Sequence, residues 1–334
     1  MLTFFRSVLF GTLISLTAVA ALGWDDVGHK TTAYIAWQRM SPSARENVIR
    51  ILRAAPEDSH LGAFYMGYGP ESDEWKRLAY FMLVSTWADI VRDRAFENRQ
   101  KKYSKSNWHY DDTFWKQVNG KAEILTGFEE GGVAVDKLAE FDKLIRDPAA
   151  SDADKAIAIA WIMHLTGDIH QPLHTSARVT ETEPKGDQGG NLFLLTPEGT
   201  PRENQRQLHS YWDTIVGRNM PLKGDMCERD YIVSVGRHLM KKYPYSAFSS
   251  SLDLRDYRAW QQQSFKFNPT DVFTPDLVRF QMPSEKYKRH AFAVAERQLA
   301  LAGYRLGETL NRVFNAPSPA VPAGLSKPVS VFLR

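Results

Sequence analysis

The sequence predicts a mainly helical, all-α fold in one domain. Apolar residues recur at helical spacing over long stretches, helix start signals precede them, and alternation of strand type is scarce. No fixed-period repeat and no polar linker divides the chain.

Taken in order, Ser41-Pro42 supplies an N-cap and a first-turn proline, and Val48, Ile51 and Leu52 follow at helical spacing. The Ala156 to Met163 segment is apolar almost all round, which predicts a central helix that runs on through His164 and Asp168. Pro172 cannot supply a helical N–H, so that helix ends or kinks before it. Asn191 to Thr196, followed by Pro197-Glu198-Gly199, reads as one small β-hairpin. Phe292, Ala295, Leu299, Ala302, Leu306, Leu310 and Val313 define an amphipathic C-terminal helix that should cross the core.

The first 23 residues read as a secretory signal: Arg6 in the n-region, an apolar run from about Ser7 to Ala21, and small residues at Ala21 and Gly23. Cleavage after Gly23 would start the mature chain at Trp24 and leave no membrane span, for a secreted or periplasmic protein. The functional domain is expected over residues 24–315, with 316–334 as an extended tail rich in proline and alanine. Cys227 is the only cysteine, so an internal disulfide is excluded and stability rests on the core and on any bound metal. At 43% hydrophobic and 12% aromatic residues, the chain can bury a large core. The net charge of +3 is too small for the long phosphate-binding stripe of a sequence-independent duplex binder. It does not exclude an anionic substrate, because bound metal adds charge that the count omits.

The chemistry lies in two His-x-x-x-Asp pairs, His164/Asp168 and His209/Asp213, with His174 ten residues after the first histidine. Residues four apart on a helix share a face, so each pair presents an imidazole and a carboxylate to one point, a donor set that zinc accepts. Two such pairs suggest a hydrolytic site with several metals. His170 points roughly 200° away from Asp168 and reads, with His60, His238 and His290, as a structural histidine. The basic run Arg99 to Lys105 reads as a solvated surface loop.

With their surroundings, these residues resemble the S1/P1 nucleases, secreted zinc enzymes that cleave single-stranded DNA and RNA and remove 3′-phosphates, over nearly the whole mature chain. Trp24 and His29 look like the family's N-terminal zinc pair, Ser85 to Arg92 like the motif with a metal aspartate, Asp89, and a phosphate-facing arginine, Arg92. Trp108-His109-Tyr110 supplies the next ligand. The resemblance implies three zinc ions per chain: one on Asp89, His109, His164 and Asp168, a second on Trp24, His29 and Asp168, a third on His174, His209 and Asp213. Asp168 would bridge two metals, and Arg92 would share charge developing on phosphorus. Tyr110, Asp112, Gly190 and Asn191 would form a base pocket. The implied partners are single-stranded DNA and RNA and 3′-nucleotides, and the enzyme is expected to be a monomer. The lack of paired cysteines points to a bacterial branch. The departures are Asp25 after the leading tryptophan, a long stretch from His174 to Asp187, and Gln188 where a basic residue is frequent. The rival readings are the related zinc phospholipases C and a non-catalytic zinc-binding periplasmic protein.

Overall fold

The computed structural model describes residues 24–128 and 131–315. The expected signal and tail, 1–23 and 316–334, lie outside the described residues. Helices α1 (Asp26–Arg39), α2 (Pro42–Leu52), α3 (Asp73–Val84), α4 (Trp87–Ile90) and α5 (Glu97–Tyr103) open the chain. Then come strands β1 (Thr113–Val118) and β2 (Lys121–Ile124), helices α6 (Ala134–Arg146) and α7 (Asp152–Asp168), and strand β3 (Ser176–Arg178). Helices α8 (Leu208–Asp213), α9 (Ile215–Asn219), α10 (Glu228–Lys242), α11 (Tyr257–Phe265) and α12 (Glu285–Phe314) complete it. The fold is mainly helical, as expected.

Local chemistry sets the main boundaries. Ser41 caps α2 by accepting from the Ala44 N–H at 3.1 Å, with Pro42 at the first helical position. Ser151 and Ser284 cap α7 and α12 in the same way. α12 buries Ala295, Leu299, Ala302, Leu306 and Leu310, and α1 packs along it. α7 is buried from Ala158 to Asp168, so its ligand-type residues sit at the end of a core helix. Pro172 lies beyond the helix end and opens a 3-10 turn, Pro172–Thr175, that carries His174.

The expected hairpin is corrected. Phe193 and Leu195 are buried in alternation, but they bond across to residues 206–208 through Leu195 N–H to Arg206 O and Leu208 N–H to Phe193 O. Only one isolated bridge results, between Leu194 and Gln207. The real hairpin is β1–β2, turned by Asn119-Gly120, both in the left-handed region (φ 52° and 74°), a strong two-residue hairpin signal. β3 joins it in parallel, giving the order β2-β1-β3, with Thr113 opposite Ser176. The basic run 99–105, expected as a loop, is largely helix α5. Arg99 is buried there because its guanidinium donates to the Ile90 carbonyl at 3.1 Å and stacks on Phe96.

Candidate metal centre and base pocket

Three segments distant in sequence meet at the C-terminal end of α7. His164 and Asp168 come from its last turn, His109 from the turn before β1, and Asp89 from α4. The His164 and His109 nitrogens are 3.0 Å apart, and Asp168 Oδ2 lies 3.0 Å from His109 and 3.3 Å from His164. Asp89 Oδ1 accepts no hydrogen bond, and stands 3.8 Å from His164 Nε2, 4.0 Å from His109 Nδ1 and 3.4 Å from Arg92. His29 stacks on His164 with ring centres 3.9 Å apart and reaches Asp168 Oδ1 at 3.3 Å. Thus the two Asp168 oxygens face different imidazoles. His109, His164 and Asp168 are fully buried, whereas Asp89 and Arg92 reach the surface and mark the open side.

α1 can approach α7 this closely because residue 167 is glycine. A Cβ there would lie 2.8 Å from His29 Nδ1. Behind the group, Trp161 meets His109 edge-on and packs on Trp87, Trp108 and Phe141, an apolar wall that lowers the local dielectric. Burial opposes charge on His164, but the Asp168 and Asp89 carboxylates win and raise it to about 9. Asp168 is held well below the carboxylate range, as His164 and His109 outweigh its burial. Burial lowers His109 to about 4.

The second grouping is His174, His209 and Asp213. His174 Nδ1 donates to the His109 carbonyl at 2.6 Å, and His209 Nδ1 donates to the Gly189 carbonyl at 2.7 Å. A carbonyl only accepts, so both Nδ1 atoms carry protons and both Nε2 atoms turn to the centre, where they stand 3.1 Å apart. Asp213 Oδ2 is 3.5 Å from His209 Nε2. Gln171 donates to the other Asp213 oxygen at 2.8 Å, while burial pushes this carboxyl well above its usual range.

The donor chemistry fits divalent metal. Ligand atoms about 2.0–2.1 Å from a tetrahedral zinc are about 3.3 Å from one another, the scale of these spacings. Among the described residues, three groups place one donor atom each within 4.8 Å: His29/Asp89/His164, His109/His164/Asp168 and His174/His209/Asp213. The first two share His164. Trp24 is fully buried, with its side chain packed near Gly28 and Gly167 beside His29.

Of the residues expected to face a base, Tyr110 and Asp112 precede β1, and Gly190 and Asn191 follow β3. Tyr110 and Asp112 are two apart on extended chain and share a face, whereas Asp111 turns inward to Arg258 and to the Val135 N–H. Asn191 donates to the Gln188 carbonyl at 2.8 Å. Gln188, Gly189 and Gly190 are all left-handed, with φ of 54°, 62° and 79°. Here the sequence reading singled out the neighbouring residue. A Cβ on Gly189 would lie 2.5 Å from the Leu173 carbonyl and 3.2 Å from His209 Nδ1, so Gly189 is the position that admits the histidine. Gln171, Ser85 and Gly167 also escaped the sequence reading. The Ser85 carbonyl accepts from His164 Nδ1 at 2.9 Å. His170 is turned away from the ligands: its Nδ1 donates to the Thr166 carbonyl and its Nε2 accepts from Arg305 at 2.7 Å.

The family model of the S1/P1 nucleases matches residues 24–315. The chain belongs to the S1/P1 nuclease family. It is 24% identical over 318 residues to nuclease S1 of Aspergillus oryzae, covering 89% of this chain and 93% of the relative. Nuclease P1 of Penicillium citrinum is 24% identical over 59% of each chain, and endonuclease 2 of Arabidopsis thaliana is 22% identical over 87% of this chain and 91% of its own. The chain is therefore a hydrolytic nuclease, a family whose substrates are nucleic acids. No helix among the described residues is long and apolar enough to cross a membrane.

Proposed function

We propose that this nuclease is a secreted zinc phosphodiesterase that cleaves single-stranded DNA and RNA to 5′-phosphate products and also removes 3′-phosphates. The observation that carries the reading is Asp168, whose two buried oxygens face His29 on one side and His109 and His164 on the other. That arrangement suits a carboxylate shared between two metals, with a third on His174, His209 and Asp213. Trp24, next to Gly167 and His29, completes the second ligand set if the chain is cut before it.

Zinc at these positions supplies a water ionised near neutral pH and positive charge for the phosphate and leaving oxygen. The protein positions the rest. Ser85, His109 and Gly189 carbonyls fix the tautomers of His164, His174 and His209 and so aim their Nε2 atoms. Arg92, at the open side beside Asp89, faces the phosphate and shares its growing negative charge. Tyr110 stacks a base, while Asp112 and Asn191 meet its edge. A base can enter only when unstacked, which disfavours intact duplex.

The test compares one oligonucleotide as single strand and as duplex, with chelator and after zinc is restored. Single strand should be cut at least about tenfold faster, in line with stacking worth about 1–3 kcal/mol per base. Mass spectrometry should find 5′-phosphate ends and about three zinc per chain. Equal rates on both forms, 3′-phosphate ends, or full activity in chelator would refute the assignment.

A further inference from the structure

Strand β1 leads away from the metal centre, since His109 stands just before it. Contacts settle its inward face: Trp115 is fully buried, Thr113 Oγ1 accepts from Gln261 at 2.9 Å, and Gln117 donates to the Pro269 and Phe273 carbonyls. Phe114 and Lys116 therefore look outward, on the face that Tyr110 and Asp112 share.

On that face Phe128 stacks on Phe114, with ring centres 4.1 Å apart and planes 7° from parallel. Two glycines close the edges of Phe114. A Cβ on Gly131 would lie 3.4 Å from its Cε2, and one on Gly186 would lie 3.2 Å from its Cε1. Gly186 belongs to the long stretch from His174 to Asp187, so that departure from the family's spacing supplies part of this wall. The next glycine serves the other ring: a Cβ on Gly132 would lie 2.5 Å from Tyr110 Cδ2. Consecutive glycines thus back two separate aromatic surfaces. Phe114 is half-buried, whereas Phe128 keeps 37% of its surface exposed. Lys116 is matched by Glu123 at 2.8 Å across the hairpin, so the outward lysine of β1 is already paired and the ring remains for a ligand.

We propose that Phe128, backed by Phe114, is a second nucleobase platform upstream of the base held at Tyr110, and that it makes this nuclease favour longer single strands. The inference rests on the base-pocket reading of Tyr110 for its direction. When a nucleotide has its 3′-phosphate at the metals and its base on Tyr110, a longer strand continues from its 5′ oxygen, away from the metals. Tyr110 and Phe114 are four residues apart on extended chain, roughly 13 Å. Bases stacked in a helix are spaced about 3.4 Å along a strand, so the two platforms engage a strand that is drawn out. In a duplex neither base offers a free face. Every base has a π-face, so this subsite adds affinity without base preference.

The experiment measures kcat/KM per scissile bond of the zinc-loaded mature protein on oligothymidylates of two to six nucleotides, and on a 3′-nucleotide. In the parent the value should rise about fivefold or more along the series, as expected from one further stacked base. Phe128→Ala should lose that rise yet match the parent on the 3′-nucleotide within about twofold. Phe128→Trp should keep the rise. Phe128→Leu, which still covers Phe114 but offers no ring, should lose it; a packing role alone would leave Phe128→Leu like the parent. A flat series in the parent, a parent-like series in Phe128→Ala or Phe128→Leu, or equal slowing of the 3′-nucleotide overturns the proposal. Tyr110→Ala separates the premise: should it slow no substrate while Phe128→Ala flattens the series, the base-pocket reading falls and Phe128 remains a platform.

Discussion

The Gly189 carbonyl fixes His209 by accepting from its Nδ1 at 2.7 Å, and so holds His209 Nε2 3.1 Å from His174 Nε2. With both Nδ1 protons committed to carbonyls, the two Nε2 atoms face each other beside Asp213, three donor atoms in an arrangement that suits a metal ion.

Gly189→Ala should therefore act as a metal-site mutation although residue 189 ligates nothing. Its Cβ would strike the Leu173 carbonyl, and φ is positive. We expect loss of about one zinc of three, with the thermal midpoint lowered in the metal-free protein by the strain and lowered further in the loaded one. Metal analysis showing full loading would remove Gly189 from the account.

Asp168→Ala should lower occupancy at two sites and abolish most activity, whereas His170→Ala should act mainly on stability. The two residues are neighbours on one helix end, yet Asp168 faces three imidazoles and His170 faces Thr166 and Arg305. Equal catalytic loss at matched folding and zinc content would contradict this division.

His170 should also make the protein acid-labile. Burial first, then the Arg305 charge, holds its imidazole well below the usual value. Below about pH 6.5 the unfolded chain takes up a proton that the folded chain refuses, so stability is present above that pH and lost as pH falls. Urea titrations of His170→Gln should give a weaker protein at pH 7 but a flatter profile, differing from the parent by about 1.4 kcal/mol per pH unit between pH 6 and 5. Parallel profiles would count against a neutral buried His170.

Tyr110→Ala should slow cleavage of single-stranded oligonucleotides and 3′-nucleotides by roughly 5- to 100-fold with zinc content intact, the range expected from one stacked base. A small phosphodiester without a base should be hydrolysed at close to the parent rate. If it slows equally, Tyr110 supports the metal centre and strand selectivity has another origin.

The helical frame was legible because helices are local: the Ser41-Pro42 start, the 292–313 stripe and the Pro172 break each act over a few residues. So was the donor chemistry at positions 164/168 and 209/213, since four-residue spacing alone puts two side chains on one face. What joins those pairs to Asp89 and His109 is tertiary packing across 55 or more residues, which spacing does not encode. Gly189 and Gly167 were hidden for the same reason, as their value lies in what approaches them. The misplaced hairpin is different. Asn119-Gly120 was readable from the sequence, but the polar strands beside it lack the apolar alternation that would have drawn notice.

α7 ends at Asp168 and α8 ends at Asp213, so two helices direct their C-termini at the ligand groups. Their peptide dipoles put partial negative charge beside the ligand groups that end each helix. The backbone therefore favours a cation at each of these two helix ends, whatever the charge on the side chains around it.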